Sequence, residues 1–212
     1  MEKRSVKGKQ IYLTTGAVIG WYAVLSQYYL HLINRIASVP ETLIRFFSYF
    51  TILTNILVAL CFTVLLLNPK SEWGSFFSRP KVLTAIAGYI SFVGIAYHIL
   101  LRHLWKPEGL QLVVNELLHS FIPILFVLYW LIFVPKAALQ WENTLSWMIF
   151  PIVYLFYVLV RGAWSGFYPY PFIDVNNLGY THVLLNDAGL IIAFLLLSLL
   201  FVAIGKAVVR LS

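Results

Sequence analysis

The sequence predicts an all-α integral membrane protein, a single domain over residues 1–212 built as a bundle of six transmembrane helices. Three observations predict this class. Hydrophobic residues make up 61% of the chain and charged residues only 11%, which is too apolar for a water-soluble domain. Hydrocarbon about 30 Å thick requires roughly 20 apolar residues per helix, and six such stretches use most of the chain. Finally, Lys and Arg lie near the ends of these stretches, where they orient membrane proteins.

The first three spans are separated by segments that break helices. A basic segment, residues 1–10, reads as a short cytoplasmic anchor, and the first apolar stretch follows at about 11–33. A loop containing Pro40 leads to span 2, at about 44–67. The next loop, NPKSEWGSFFSRPK, contains Pro and Gly, and span 3 follows at about 82–104.

The last three spans follow the same pattern. After KPEG comes span 4, at about 111–134, whose second half is the apolar run ILFVLYWLIFV. Span 5, at about 143–164, ends in a loop rich in Tyr and Pro, GFYPYPFIDVNNLGYTH. Span 6 runs from about 183 to 205, and basic residues follow it. Short connections of this kind leave no room for a separate soluble domain.

The distribution of basic residues predicts the orientation in the membrane. Assigned alternately to the two sides, ten of the 15 Lys and Arg fall on the side of the N-terminus and five on the other. The positive-inside rule then places both termini in the cytoplasm. Spans 2, 4 and 6 would run inward from the outer surface, so their polar first halves would lie near that surface. The overall charge of +7 could suggest nucleic acid, but the basic residues are scattered, and no nucleic-acid partner is expected.

Four polar side chains occupy the first half of span 2. Ser48, Thr51, Thr54 and Asn55 fall on one stripe of a helix, and the second half of the span is almost wholly apolar. Polar side chains within a bilayer are costly and commonly mark functional sites. The stripe is therefore interpreted as one wall of a reactive pocket.

Thr51 and His119 are the predicted nucleophile and base. Each lies seven or eight residues into a span that starts at the outer surface, which puts both roughly 10 Å below it. A threonine hydroxyl needs a base to remove its proton, and histidine suits that role at neutral pH. Asn115, one turn before His119, could fix the imidazole tautomer, and Asn55, one turn after Thr51, could donate to an oxyanion.

Structural roles are the alternative for the same residues. A threonine in a membrane helix often bonds to backbone, and a buried histidine can tie two helices together. Glu116 and Asp187 could form ion pairs with Arg102 or Arg161 at the outer rim. The five histidines lack the paired spacing of a zinc site within one span, so neither a metal nor another cofactor is expected. The predicted supporting or pocket residues are Asn55, Asn115, Thr54, Ser48, His98, Arg161 and Asp187.

Three segments carry a resemblance to a known family. They are FFSYFTILTN in span 2, LLHSFIPILFVLYWLIF followed by PKAALQW, and YPYPFIDV after span 5. Through them the chain resembles, over nearly its whole length, the six-helix bacterial membrane proteins of the Pr-six-Pr family. Those proteins are in turn similar to the androgen-induced protein family of animals. The resemblance implies a bacterial cytoplasmic membrane as the location.

The animal relatives are intramembrane threonine hydrolases, and the resemblance implies the same reaction here. Their substrates are fatty acid esters of hydroxy fatty acids, and they use one Thr and one His. In those proteins the nucleophilic threonine lies among aromatic residues, a pattern that Phe50 and Thr51 match best. Thr54 is the alternative candidate for the nucleophile. Their histidine precedes a proline, as His119 does, although the spacing is one residue shorter here. Residues 170–174, YPFID, are similar to a further segment, Tyr-Pro-Phe-Leu-Glu.

Two functions follow as hypotheses. One is hydrolysis of a membrane lipid ester by Thr51 and His119, with the site towards the outer leaflet of the bilayer. The alternative is a protein that binds or transports a lipid or small solute without cleaving it. Discontinuous helices and paired repeats, which are typical of transporters, are not evident in the sequence. The oligomeric state is left open.

Overall fold

The computed structural model describes residues 2–211, with side chains for residues 7–210. The described part is all-helical and contains no strand. Two π-helical turns, Tyr97–Leu101 and Leu117–Phe121, and one 3-10 turn, Pro171–Ile173, complete the architecture. The α-helices are α1 Glu2–Ile33, α2 Val39–Phe47, α3 Phe50–Leu67, α4 Glu72–Phe77, α5 Pro80–Ala96, α6 Gly109–Glu116, α7 Ile122–Phe133, α8 Asn143–Trp147, α9 Ile149–Ser165 and α10 Val175–Leu211.

Five helical segments of the described chain are long and apolar enough to cross a membrane, as expected of a multi-pass membrane protein. They coincide with predicted spans 2 to 6. Many large apolar side chains on their outer faces are exposed, which suits contact with lipid. The segments are Phe50–Leu67, Pro80–Leu101, Gly109–Phe133, Asn143–Ser165 and Val175–Arg210.

Helix α1 is not among these five, so the first span at 11–33 stays a prediction. The segment predicted as a separate anchor is helical from Glu2 and continuous with α1, while Met1 and the side chains of Lys3 and Arg4 lie outside the described part. Helix α1 nevertheless packs closely along α3. A Cβ on Gly20 would lie 3.0 Å from the Cβ of Ala59. Small residues at such a contact let two helices approach within membrane bundles.

Span 2 was predicted as one helix from about 44, and this is wrong. Helix α2 ends at Phe47, and α3 begins only at Phe50. The hydroxyl of Tyr154 in α9 accepts the N–H of Phe50 at 3.2 Å and donates to the carbonyl of Ser48 at 2.9 Å. Backbone groups freed by a break must be satisfied inside a membrane protein, and Tyr154 satisfies these two.

Span 6 is longer than predicted. Helix α10 starts at Val175, eight residues before the predicted start, and is interrupted at Gly179, whose φ of 73° lies in the left-handed region that favours glycine. The predicted starts of spans 3, 4 and 5 agree with the structure to within two residues. Together the helices surround a site at the junction of α2 and α3.

Candidate active site

The structure brings Thr51 and His119 into contact. Thr51 is the second residue of α3, and His119 lies in the π-helical turn between α6 and α7. The Oγ1 atom of Thr51 is 3.4 Å from the Nε2 atom of His119. The two residues are 68 positions apart in sequence, and their side chains face each other across two helical segments. Turns of π-helix occur frequently at functional sites, because they change which side chains point inward.

The imidazole of His119 is held on two sides. Its Nδ1 atom is 2.9 Å from the carbonyl oxygen of Asn115. A carbonyl can only accept a hydrogen bond, so Nδ1 carries the proton and Nε2 presents its lone pair to Thr51. The ring also stacks on Tyr97, with centroids 4.1 Å apart.

Asn115 contacts the imidazole through its backbone carbonyl and not through its side chain. Its side chain instead donates to the hydroxyl of Tyr97 at 2.6 Å. Tyr97 lies in the other π-helical turn, so this bond joins α6 to that turn, and the stack of Tyr97 on His119 joins the two π-helical turns to each other. Asn115 thus orients the histidine directly and orients the ring on which the histidine stacks.

Tyr170 is a site residue that reasoning about polar positions missed. Its hydroxyl lies 3.3 Å from Thr51 Oγ1 and accepts the backbone N–H of Thr51 at 3.2 Å. Its ring stacks on Phe172, whose carbonyl accepts a hydrogen bond from the side chain of Asn186 at 2.8 Å. The only sequence signal for Tyr170 was its position in the YPF segment that carried the family resemblance.

Asn55 does not have the predicted role. Its Nδ2 atom donates to the carbonyl oxygens of Thr51, at 2.8 Å, and of Leu118, at 3.2 Å. The side chain is completely buried and uses its donors to join α3 to the π-helical turn that carries His119. It is a structural link, and donation to an oxyanion from Asn55 is not possible in this arrangement.

The other two polar residues of the stripe form no hydrogen bond with Thr51 or His119. Ser48 donates to the carbonyl of Ile44 at 2.7 Å and contacts the Tyr157 hydroxyl at 3.2 Å. Thr54 is fully buried, and its Oγ1 atom has no hydrogen-bond partner among the described residues. Of the four residues only Thr51 lines a cavity, so the prediction that all four form one wall is wrong. The helix break removes Ser48 from the stripe, and Thr54 and Asn55 are buried in the packing of α3.

Three predicted pocket residues lie apart from the pair. His98 is exposed and bonds to Ser120 and Arg102. Arg161 pairs with Glu41, at 2.7 Å, and not with Asp187. Asp187 forms no ion pair with a described residue, and its buried Oδ1 atom has no hydrogen-bond partner there.

The predicted ion pair between Glu116 and Arg102 is confirmed. The two side chains are 2.9 Å apart. Both are partly exposed, and the Glu116 carboxylate also accepts a hydrogen bond from Ser120 at 2.6 Å. This network lies at the same end of the helices as the site but does not reach Thr51.

Thr51 lies where two cavities meet. The outer cavity, of about 590 Å³, has a mixed lining, in which polar groups including His31, Arg45, Asn115 and His119 lie among apolar side chains. The second is narrow, about 60 Å³, and almost wholly apolar, with walls from α5, α9 and α10. Four residues line both cavities: Thr51, Tyr97, Leu101 and Tyr170. Thr51 is thus reached from a cavity of mixed polarity on one side, which His119 also lines, and from an apolar slot on the other.

The described residues contain no group of three or more His, Cys, Asp or Glu side chains able to hold a metal ion. Comparison with protein family models, with curated proteins and with solved structures gave no match. The chemistry of the site is therefore argued from its own geometry.

Proposed function

We propose that the protein is an intramembrane hydrolase of lipid esters in which Thr51 is the nucleophile and His119 the base. The observation that carries the proposal is the 3.4 Å separation of Thr51 Oγ1 and His119 Nε2, beside a cavity of mixed polarity that meets an apolar slot at Thr51. That separation is within the range that base and nucleophile show before substrate tightens the contact.

The reaction has two halves. The unprotonated Nε2 of His119 takes the hydroxyl proton as Thr51 attacks the ester carbonyl, and the imidazolium then gives the proton to the departing alcohol. Water, deprotonated by the same nitrogen, next attacks the acyl-threonine, releases the carboxylic acid and restores the hydroxyl. The hydrogen bond from Nδ1 to the Asn115 carbonyl stabilises the positive charge on the ring in both halves.

Tyr170 is the candidate donor to the oxyanion. Its hydroxyl accepts the Thr51 N–H and lies 3.3 Å from Thr51 Oγ1, a position from which its own proton can be directed to the substrate oxygen beside that atom. The site also lies in the first turn of α3, an 18-residue helix whose positive N-terminal end stabilises developing negative charge.

The two cavities suit an amphiphilic ester. The outer cavity has room for the ester with its alcohol portion and water, and the apolar slot takes a short apolar segment of the acyl chain beside Thr51. Resemblance to the Pr-six-Pr and androgen-induced families adds fatty acid esters of hydroxy fatty acids as the substrate class. We place the protein in a bacterial cytoplasmic membrane with both termini inside and the site towards the outer leaflet. Reporter fusions at each terminus test that orientation.

A fluorophosphonate probe tests the reaction on purified, folded protein. We expect labelling of the wild type and of Thr54→Ala, and its loss in Thr51→Ala and His119→Ala. Thr51→Ser, which keeps the hydroxyl, should retain labelling. Full labelling or full ester turnover in Thr51→Ala would exclude Thr51 as the nucleophile.

The second candidate function is lipid binding without cleavage, and the volume of the outer cavity, about 590 Å³, favours it. No labelling of the folded wild type would support it. Intact ester lipid that co-purifies with the protein and is unchanged after long incubation would then establish binding as the function.

A further inference from the structure

The wall of the outer cavity formed by α2 and its neighbours is positively charged. Arg35 and Arg45 line the cavity, and no described Asp or Glu does. Arg35 uses one Nη atom to donate to the carbonyl of Leu32 at 3.0 Å, a neutral partner that leaves its charge uncompensated. The cavity therefore presents an excess of positive charge beside the reactive pair.

Arg45 is held in place by neighbours that leave its two Nη atoms without a hydrogen bond to a described residue. Its Nε atom donates to Glu41 at 2.8 Å, and its guanidinium lies 4.5 Å over the ring of Phe167. Neither Nη atom forms a hydrogen bond with a described residue. A guanidinium fixed at Nε and on one face keeps donors for a planar carboxylate or a phosphate.

Glu41 does not neutralise this arginine, because it is shared. Arg161 also donates to Glu41 at 2.7 Å and lies 5.0 Å over the same Phe167 ring. One carboxylate therefore faces two guanidinium groups. A further negative group would be stabilised here by charge as well as by hydrogen bonds.

We propose that Arg45 binds the anionic head group of a lipid, a carboxylate or phosphate, whose chain reaches Thr51. Arg45 and Thr51 line the same cavity on either side of the break between α2 and α3. The inference rests on the proposed function for the ester at Thr51 and adds the group that selects the substrate. Arg45 accordingly determines specificity for esters whose alcohol portion carries a negative charge.

Binding of lipids that cannot be hydrolysed tests the anion site without any need for turnover. The probes are oleate, methyl oleate and oleoyl lysophosphatidic acid bearing an ether in place of the ester, each titrated into purified protein in detergent. We expect wild type to bind an anionic probe about tenfold or more tightly than methyl oleate. Whichever anionic probe binds better identifies the head group as carboxylate or phosphate.

Arg45→Gln should abolish that preference, and Arg45→Lys, which keeps the charge and a Glu41 partner, should retain part of it. Arg102→Gln is the matched control, since Arg102 lies outside both cavities and should change nothing. Equal binding of oleate, the lysophosphatidate ether and methyl oleate to wild type, or an unchanged preference in folded Arg45→Gln, would overturn the proposal. If the preference holds while fluorophosphonate labelling fails, the hydrolase proposal falls and the anion site stands.

Discussion

The backbone carbonyl of His119 lies 3.0 Å from where a Cβ on Gly94 would stand. That distance is tighter than ordinary carbon contacts, so α5 can approach the π-helical turn this closely only because residue 94 has no side chain. The Cβ of Pro123 would also be close, at 3.3 Å from a Cβ placed on Gly94. The position of the His119 imidazole therefore depends on a glycine in the neighbouring helix.

Gly94→Ala should displace the turn that carries His119 and lower the labelling rate of Thr51 about tenfold to a hundredfold, since small misplacements are costly in catalysis. Gly88→Ala on the same helix is the control, because its nearest neighbour would be 3.9 Å away. The rate is measured with the fluorophosphonate probe. Equal rates in the two variants would mean that the contact at Gly94 does not position His119.

Tyr170→Phe removes the candidate oxyanion donor and keeps the aromatic stack on Phe172. We expect kcat for ester hydrolysis to fall about ten- to a thousandfold with little change in KM, since the lost bond forms mainly in the transition state. Tyr49→Phe is the matched control. Tyr49 lines the same cavity and its ring contacts that of Tyr170, with centroids 5.7 Å apart, but its hydroxyl has no hydrogen-bond partner among the described residues. A loss of equal size in both variants would argue against a specific role for the Tyr170 hydroxyl.

Asn55→Leu should destabilise the fold by about 1–3 kcal/mol, because it removes the donor to two buried carbonyl oxygens. Thr54→Val is a similar change from polar to apolar one residue earlier. Thr54 Oγ1 has no partner among the described residues, so this variant should be as stable as wild type or more stable. Thermal unfolding in detergent compares them. Similar losses in both variants would contradict the assignment of Asn55 as a helix-to-helix link.

Glu41 makes stability depend on pH in the acid range. The hydrogen bond from Arg45, followed by the hydrogen bond and charge of Arg161, lowers the Glu41 pKa below its ordinary value of 4.5, although partial burial acts in the opposite direction. A carboxyl with a lowered pKa stabilises the folded state above its ordinary pKa, and this contribution disappears as pH falls through the lowered value.

Wild type should therefore exceed Glu41→Gln in Tm at neutral pH, and the difference should shrink as pH falls below about 4.5. Glu108→Gln is the control, since Glu108 directly precedes α6, makes no side-chain capping bond and forms no ion pair among the described residues. A Tm difference between wild type and Glu41→Gln that is constant from neutral to acid pH would show that the ion pairs do not stabilise the fold.

The sequence allowed much of the helical architecture to be predicted, because length and apolarity are local properties. Five of the six predicted spans coincide with helices long and apolar enough to cross a membrane. The sequence also named Thr51 and His119 as a candidate pair, from their chemistry, their predicted depth and the family resemblance, and the structure places the two side chains 3.4 Å apart. The depth assumed for Thr51 was wrong, because α3 begins only at Phe50.

The direction in which each side chain points, and the partner that it meets, were decided by the tertiary structure alone. The break at Ser48 and Tyr49 exists because Tyr154, about a hundred residues later, satisfies the freed backbone groups. Asn55 turns towards backbone carbonyls because the turn at Leu118 is packed against it. Hydrogen bonds between helices depend on the rotation of each helix about its axis, and that rotation cannot be predicted from the hydropathy of the sequence. For this reason the sequence by itself determined which residues could react, and the packing of the helices determined which of them meet.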